Sequence, residues 1–362
     1  MNKILAICTS PDKGGLELYF IKLIDYYHSK HESILAVCKK NSVIHKKINS
    51  NPFLVESINF FNIFTYAIKL ANIVDKNKIK TIHVSWTKDI LLAVLIKKFC
   101  KSNVSLIYYR QMKITRMKND FYHKFLYKNI DLILVITDKL AAEARKFLPV
   151  SDIKIKKLAY GISKPSLSTE QSKEDFLKQY NFNPDVSTIG VFSRIEDQKG
   201  QHLIIEAMHK IKPIATQLLI VGHFMNNRYR TVIENLIVNY NFQKQVKFIN
   251  FIDNPMSIMP YFDLIILPTY EETFGLVVAE SMMMNVPVIG SNSGGVPEII
   301  QDETNGLMFE TRNSDSLAEK VLMIINNKDF AKKLSQNAKV YAEQAYDHKK
   351  HFDLLNSYVD KI

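Results

Sequence analysis

The chain has 362 residues, 47% hydrophobic and 23% charged, which excludes a disordered or fibrous protein and exceeds what one ordinary core holds. No stretch of 18 apolar residues exists to span a membrane, and the start through Cys8 lacks the basic region and small-residue cleavage site of a signal peptide. The net charge of +12 is uneven, with 29 Lys and Arg against 12 acidic residues through Pro165 and 19 against 24 beyond it, so each half is expected to meet different partners.

Strand-length apolar runs alternate with helix-length segments, the pattern of an α/β fold with parallel sheets. In the first half the predicted strands are Lys3–Cys8, Ser33–Val37, Thr81–Val84, Ser105–Tyr109 and Leu132–Ile136. Predicted helices such as Leu16–Ser29 and Ile63–Asp75 repeat apolar residues every three or four positions. Periodicity is lost over Gly161–Asp175, the predicted linker between a domain 1–165 and a domain 166–345. A second series of strands follows at Thr188–Phe192, Gln217–Val221, Val246–Phe248, Leu264–Leu267 and Val286–Gly290. The helices among them include Gly200–Lys210, Tyr229–Asn239, Leu276–Met284 and Ser314–Asn326. Two doubly wound halves of this kind are expected to place an interdomain cleft at the carboxyl ends of both sheets. Cys8, Cys38 and Cys100 are far apart and odd in number, which fits neither a disulfide framework nor a metal pair. They read as reduced core thiols of a cytoplasmic protein.

Chemistry concentrates in Leu267-Pro-Thr-Tyr-Glu-Glu-Thr-Phe-Gly-Leu-Val-Val-Ala-Glu280, followed by Asn285-Val-Pro-Val-Ile-Gly290 and Gly294-Gly-Val-Pro-Glu298. A strand ends at Leu267, and Glu271 and Glu272 occupy a loop. Phe274-Gly275-Leu276 then opens a helix whose first N–H groups lack helical partners and can donate to a phosphate or hydroxyl. Glu280 follows Glu272 by eight positions, just over two turns, and carboxylates there suit neighbouring sugar hydroxyls. Taken singly, either Glu reads equally as a helix-dipole partner or a solvated side chain. Gly14-Gly15-Leu-Glu17 lets the backbone approach a phosphate at a helix start, without the Gly-x-Gly-x-x-Gly spacing of a dinucleotide site. Arg194-Ile-Glu-Asp-Gln-Lys199-Gly200 follows the first strand of the second half, and Val221-Gly222 ends the next one.

Taken together and in order, these five pieces resemble the Glu-x7-Glu pattern and its companions in retaining GT-B glycosyltransferases of the family 4, group 1 type. The resemblance implies a GT-B fold of two Rossmann-like domains, the last helix, within 346–362, packing back on the first. It implies a hexosyltransferase that needs no metal or other cofactor, fed by a nucleotide-sugar donor, UDP- or GDP-linked. Arg194 and Lys199 would be the clamp that takes up negative charge on the leaving diphosphate. Glu272 would contact the transferred sugar and Glu280 the ribose. Gly14, Gly15, Gly222, Phe274, Gly275 and Leu276 would complete the donor site. No Asp-x-Asp pair and no His/Cys/Asp/Glu set with ligand spacing occurs in the sequence, in keeping with that class.

The acceptor side departs from the family. The loop after the fourth predicted strand reads Tyr109-Arg-Gln-Met-Lys113, without the histidine that many relatives carry, which leaves Glu17, Arg110, Gln111 and His123 as candidates there. His83 reads as a packed histidine. His223-Phe224 displaces the family's second glycine after Gly222, and Ser163 replaces the usual acidic residue after Ile162. Lys113–Lys128 is predicted as a basic helix with Met117, Phe121 and Phe125 on one face, either packed into its own domain or lying against anionic lipid headgroups. The expected role is transfer to a glycan or lipid-linked acceptor in bacterial surface polysaccharide or lipopolysaccharide synthesis, in the cytoplasm or peripherally on the inner membrane face. A GT-B-fold nucleotide-sugar epimerase is the alternative within enzymes. A basic nucleic-acid-binding protein is the alternative outside them; no binding signature supports it, and nucleic acid is not an expected partner.

Overall fold

The computed structural model describes residues 3–30, 33–165, 171–212 and 214–362. It divides into two compact units, Met1–Tyr160 with His351–Ile362, and Gly161–Lys350.

The first unit carries strands β1 (Ile4–Cys8), β2 (Ile34–Lys39), β3 (Phe53–Val55), β4 (Thr81–Val84), β5 (Ser105–Arg110), β6 (Leu132–Val135) and β7 (Ile155–Lys157). They form one parallel sheet in the order β3-β2-β1-β4-β5-β6-β7, with Ile4 beside Ile34 on one side and Thr81 on the other. Between them run helices α1 (Gly15–Ser29), α2 (Val43–Lys47), α3 (Ile63–Asn77), α4 (Ile90–Phe99), α5 (Phe121–Lys128) and α6 (Asp138–Phe147). Parallel strands covered on both faces read as near-continuous apolar runs. That is why Ile4–Cys8 and Leu132–Val135 are buried at every residue.

The second unit begins with α7 (Lys173–Lys178), whose first turn is capped by Ser172. Its strands are β8 (Ser187–Phe192), β9 (Thr216–Val221), β10 (Val246–Ile249), β11 (Leu264–Leu267), β12 (Val288–Ser291) and β13 (Leu307–Phe309), parallel in the order β10-β9-β8-β11-β12-β13. The helices are α8 (Gln201–Lys210), α9 (Asn227–Asn239), α10 (Leu276–Met283), α11 (Ser314–Ile325) and α12 (Lys328–Ala345). Ile204, Leu218, Ile233, Ile266, Leu317 and Val321 lie in its core. A last helix, α13 (His348–Val359), groups with the first unit from His351 onward.

Each sheet has one place where its order reverses, between β1 and β4 in the first and between β8 and β11 in the second. Loops leaving neighbouring strands there diverge to opposite faces, so a crevice opens outside the carboxyl ends of those strands.

All ten predicted strands exist, with ends shifted by at most two residues. The three-residue strands β3, β7 and β13, each at or near a sheet edge, were too short to announce themselves. Part of the predicted linker, 166–170, lies outside the described residues. One helix is corrected. The predicted run Lys113–Lys128 is helical only from Phe121, because the Asp120 carboxylate accepts the His123 N–H and caps α5 there. Upstream, the Ile114 N–H donates to Glu143 and the Lys118 N–H to the Phe147 carbonyl, which holds the segment irregular and keeps Met117 off any helical face. Phe121 is not packed into its own domain either, being 88% exposed.

Within the first unit, α13 lays Phe352 flat on Tyr26 at 3.8 Å between ring centres, and the Tyr27 hydroxyl donates to Asn356 at 2.7 Å. His351 Nδ1 meets the Ala159 carbonyl at 2.6 Å. Phe352 is fully buried, so Phe352→Ala is expected to cost about 3–5 kcal/mol. A lowered denaturant midpoint with α13 exchanging its amides sooner than β1 would show it.

Candidate functional site

At the reversal point of the second sheet, the loop after β8 carries Arg194 and Lys199, and the loop after β11 carries Glu272. Lys199 Nζ sits 2.7 Å from Glu272 Oε2, both side chains part-buried. Arg194 is half-exposed, with Nη2 3.1 Å from Glu196 Oε1. Gln201, wholly buried at the start of α8, steadies this loop: its Nε2 donates to Ser193 Oγ and to the Arg194 carbonyl, each at 2.8 Å.

Backbone constraints fix the loops against each other. Gly200 caps α8 in the left-handed region, and a Cβ there would fall on the Pro268 carbonyl oxygen at the end of β11. Gly294 is also left-handed, and its Cβ would fall on the Glu272 carbonyl, while the Gly295 N–H donates to that same oxygen at 2.8 Å. The Tyr270 N–H donates to the Gln198 carbonyl at 2.9 Å, and Ser291 and Ser293 hydroxyls donate to the carbonyls of Thr269 and Tyr270. Gly222, at the end of β9, packs its bare Cα against the Ser193 carbonyl. Gly275 caps α10, Leu276 is its first residue, and Glu280 is buried one turn along. Phe274 is buried too, its ring 5.5 Å from that of Tyr346. The N–H groups at the starts of α8 and α10 therefore border a loop cluster holding two cations and a carboxylate.

In the first unit the reversal point is polar and tightly bonded. The Asp89 carboxylate, after β4, accepts the Thr9 N–H at 2.7 Å and the Thr9 hydroxyl, tying the ends of β1 and β4 together. Glu17, buried in the first turn of α1, accepts the Ser10 hydroxyl and lies where a Cβ on Gly14 would press at 3.3 Å. Tyr160 donates its hydroxyl to Gln111 Oε1 at 2.7 Å and lies next to Gly15; the Gln111 Nε2, buried, has no protein partner among the described residues. Arg110 turns its guanidinium onto Thr87, Tyr108 and the carbonyls of Met112 and Lys113, so it braces its own loop. His123 is engaged by Asp120 at 2.5 Å on α5. Among the described residues, no group of three or more His, Cys, Asp or Glu side chains is placed to hold a metal ion, and no helix is long and apolar enough to cross a membrane.

Residues 172–341 match the family of glycosyl transferases group 1, and residues 6–137 match the glycosyl transferase 4-like family. The chain is a group 1 glycosyltransferase. An uncharacterized glycosyltransferase of Methanocaldococcus jannaschii is 26% identical over 92% of this chain and 91% of its own. The O-antigen biosynthesis glycosyltransferase WclY of Escherichia coli is 23% identical over 90% of each. The crystal structure of Anabaena HepE in complex with UDP and glucose superposes with a TM-score of 0.84 at 18% identity over the full length of both chains, and its fold is GT-B. Both family models and both of these relatives are glycosyltransferases.

In this glycosyltransferase the structure brings Lys199 and Glu272 into contact and sets Arg194 in the same loop as Lys199. Glu17 and Gln111 fall near the start of α1, and His123 is taken up elsewhere. Asp89, Thr9, Ser193 and Gln201 were not legible. Each acts through a partner distant in sequence or through a backbone carbonyl, and a lone Asp or Gln after a strand carries no spacing signal.

Two buried groups of the first unit titrate in opposite senses. Burial, assisted by His351, lowers His83 from 6.5 to about 3, and neither ring nitrogen has a protein partner among the described residues. Burial raises Asp89 from 3.8 to about 6 against the Thr9 bonds that pull it down. The unfolded chain protonates His83 first, so its contribution to stability falls as pH drops below 6.5. The folded chain keeps the Asp89 proton longer, so that contribution falls as pH rises through about 4 to 6, each at up to about 1.4 kcal/mol per pH unit. The two slopes oppose each other in the intact protein. Between about pH 6 and 4, His83→Leu is expected to gain stability relative to the parent and Asp89→Asn to lose it. Denaturant midpoints across that range decide; three parallel curves would mean that neither group is withheld from solvent.

Proposed function

We propose that this glycosyltransferase moves a sugar from a nucleotide-diphosphate donor to a glycan or lipid-linked acceptor with retention of configuration, in the assembly of a bacterial surface glycan. The reading is carried by one observation, the contact of Lys199 with Glu272 at the reversal point of the second sheet, Lys199 sharing its loop with Arg194. It is supported by HepE, whose crystal structure holds UDP and glucose, and by WclY, named for O-antigen synthesis.

In this reading the diphosphate lies at the starts of α8 and α10, with Arg194 and Lys199 as its cations. Lys199 exchanges part of its pairing with Glu272 for phosphate oxygens when donor binds, and Glu272 turns to the sugar hydroxyls. As the bond from the sugar C1 to the diphosphate oxygen breaks, its electron pair stays on that oxygen, and fixed cations stabilise the charge. The acceptor oxygen bonds C1 on the face the diphosphate leaves. Its proton passes to the departing phosphate oxygen, so the atoms balance without a protein base. Neutralisation comes from side chains and helix ends, with no metal invoked. Glu280 is assigned to the ribose, and Gly14 and Gly15 to close backbone approach by the donor. The first unit is the acceptor side, where Glu17 and the free amide of Gln111 supply polar groups. Exposed Met112, Met117, Phe121 and Tyr122, set among Arg116, Lys118 and Lys124, favour a cytoplasmic enzyme working against the inner membrane face.

A thermal-shift panel of nucleotide sugars is expected to pick out the donor by a raised melting temperature. Glu272→Ala should keep the fold and abolish measurable transfer, and Arg194→Ala should lower kcat by about a hundredfold. Lys199→Ala should lower kcat at least as far, because it also leaves Glu272 unpaired beside the diphosphate. Full turnover in any of the three removes the role given to that residue.

A further inference from the structure

The first unit displays a second apolar surface that neither the donor nor the acceptor assignment uses. Phe60 and Phe61 stand 78% and 90% exposed at the tip of the loop that enters α3. Their rings lie 6.1 Å apart, Phe60 is 6.3 Å from Phe64, and Phe64 is 6.5 Å from Phe99 at the end of α4. Ile68, one turn beyond Phe64, is also exposed. Exposed single apolar residues are ordinary, but four aromatic rings in one chain of contacts are not.

The loop is built to hold those rings out. Asn59 Oδ1 accepts the N–H groups of Phe61 and Asn62 at 3.0 and 3.1 Å, Asn62 Oδ1 accepts the Asn59 N–H at 2.8 Å, and Asn62 Nδ2 donates to the Ser57 carbonyl at 2.7 Å. The Ile63 N–H then returns to the Asn59 carbonyl. Two asparagines thus accept the N–H groups of Asn59, Phe61 and Asn62 internally, which lowers the cost of taking this segment out of water. The rings are also pre-positioned, so little ordering entropy is lost when they are buried.

Charge selects the occupant. Lys69 and Lys98, beside Ile68 and Phe99, are exposed, and α4 contains no acidic residue. The one acid of α3, Asp75, is occupied by the N–H groups of Lys101 and Ser102. Through Pro165 the chain carries 29 basic and 12 acidic side chains, so the same face of a second copy would meet it with like charge. Protruding rings on a convex tip need a medium that closes around them, whereas a protein partner must supply a matching hollow.

We propose that the Asn59–Phe64 tip with Phe99 is a membrane anchor, its rings entering the acyl boundary of an anionic lipid surface while Lys69 and Lys98 meet the headgroups. It is distinct from the Met112–Phe125 surface and independent of the donor assignment. The full-length protein is floated with phosphatidylcholine vesicles with and without phosphatidylglycerol, at low and high salt. Binding is expected to require the anionic lipid and to weaken, without vanishing, at high salt. Phe60→Ala/Phe61→Ala should lower the partition coefficient by about tenfold per ring with an unchanged melting temperature, because neither ring fills a core. The indole introduced by Phe61→Trp should move its emission to the blue on the vesicles and be quenched by brominated acyl chains. The proposal is overturned if the parent fails to float, or if the double alanine variant floats like the parent while Phe121→Ala does not. It is equally overturned if that indole keeps a water-like emission on bound protein, or if sedimentation without lipid shows a dimer that the double variant splits.

Discussion

A parallel strand covered on both faces has little use for a polar side chain until its carboxyl end, and everything chemical in this glycosyltransferase follows from that constraint. Both sheets are largely apolar along their central strands, and both release polar residues together at the point where strand order reverses. In the first unit these are Thr9, Ser10 and Asp89; in the second, Ser193, Arg194, Thr269 and the loop ending at Glu272. The fold gives each unit one address for chemistry, and the loops decide what is written there.

The two addresses differ in character. The first is a closed set of hydrogen bonds in which carboxylates accept from hydroxyls and backbone, and burial rather than a cation governs the protonation of Asp89. The second is ionic and partly open, with Lys199 against Glu272 and a half-exposed Arg194. The loops around it are held chiefly by backbone carbonyls, which accept from the N–H groups of Gly295 and Tyr270 and from the hydroxyls of Ser291 and Ser293.

How far the sequence could be read depended on the range of the interaction concerned. The central strands were legible because double burial writes an unbroken apolar run into Ile4–Cys8 or Leu264–Leu267. The order of the glycine, Arg/Lys and Glu-rich pieces was legible because each sits one short loop beyond such a run. Asp89 was not, since its role is set by Thr9, 80 positions earlier in the chain, and no periodicity records that. Gln201 was hidden because what it holds is a backbone carbonyl. Lys113–Lys128 misled through its apolar spacing, which promised a helix from the start, whereas the Asp120 cap and the anchoring of Ile114 by Glu143 delay it to Phe121. Three-residue strands such as Phe53–Val55 are shorter than any repeat that could reveal them.

The seating of Gly294 and Gly295 on the carbonyl of Glu272 has a mechanical corollary. Two successive βα loops, one bearing the carboxylate and the other the two glycines, are joined at their backbones, so a side chain at position 294 would have to displace the loop that carries Glu272. A change of length or bulk beyond β12 would therefore reach the position of Glu272 with Glu272 itself untouched, and a survey of side chains alone would miss it.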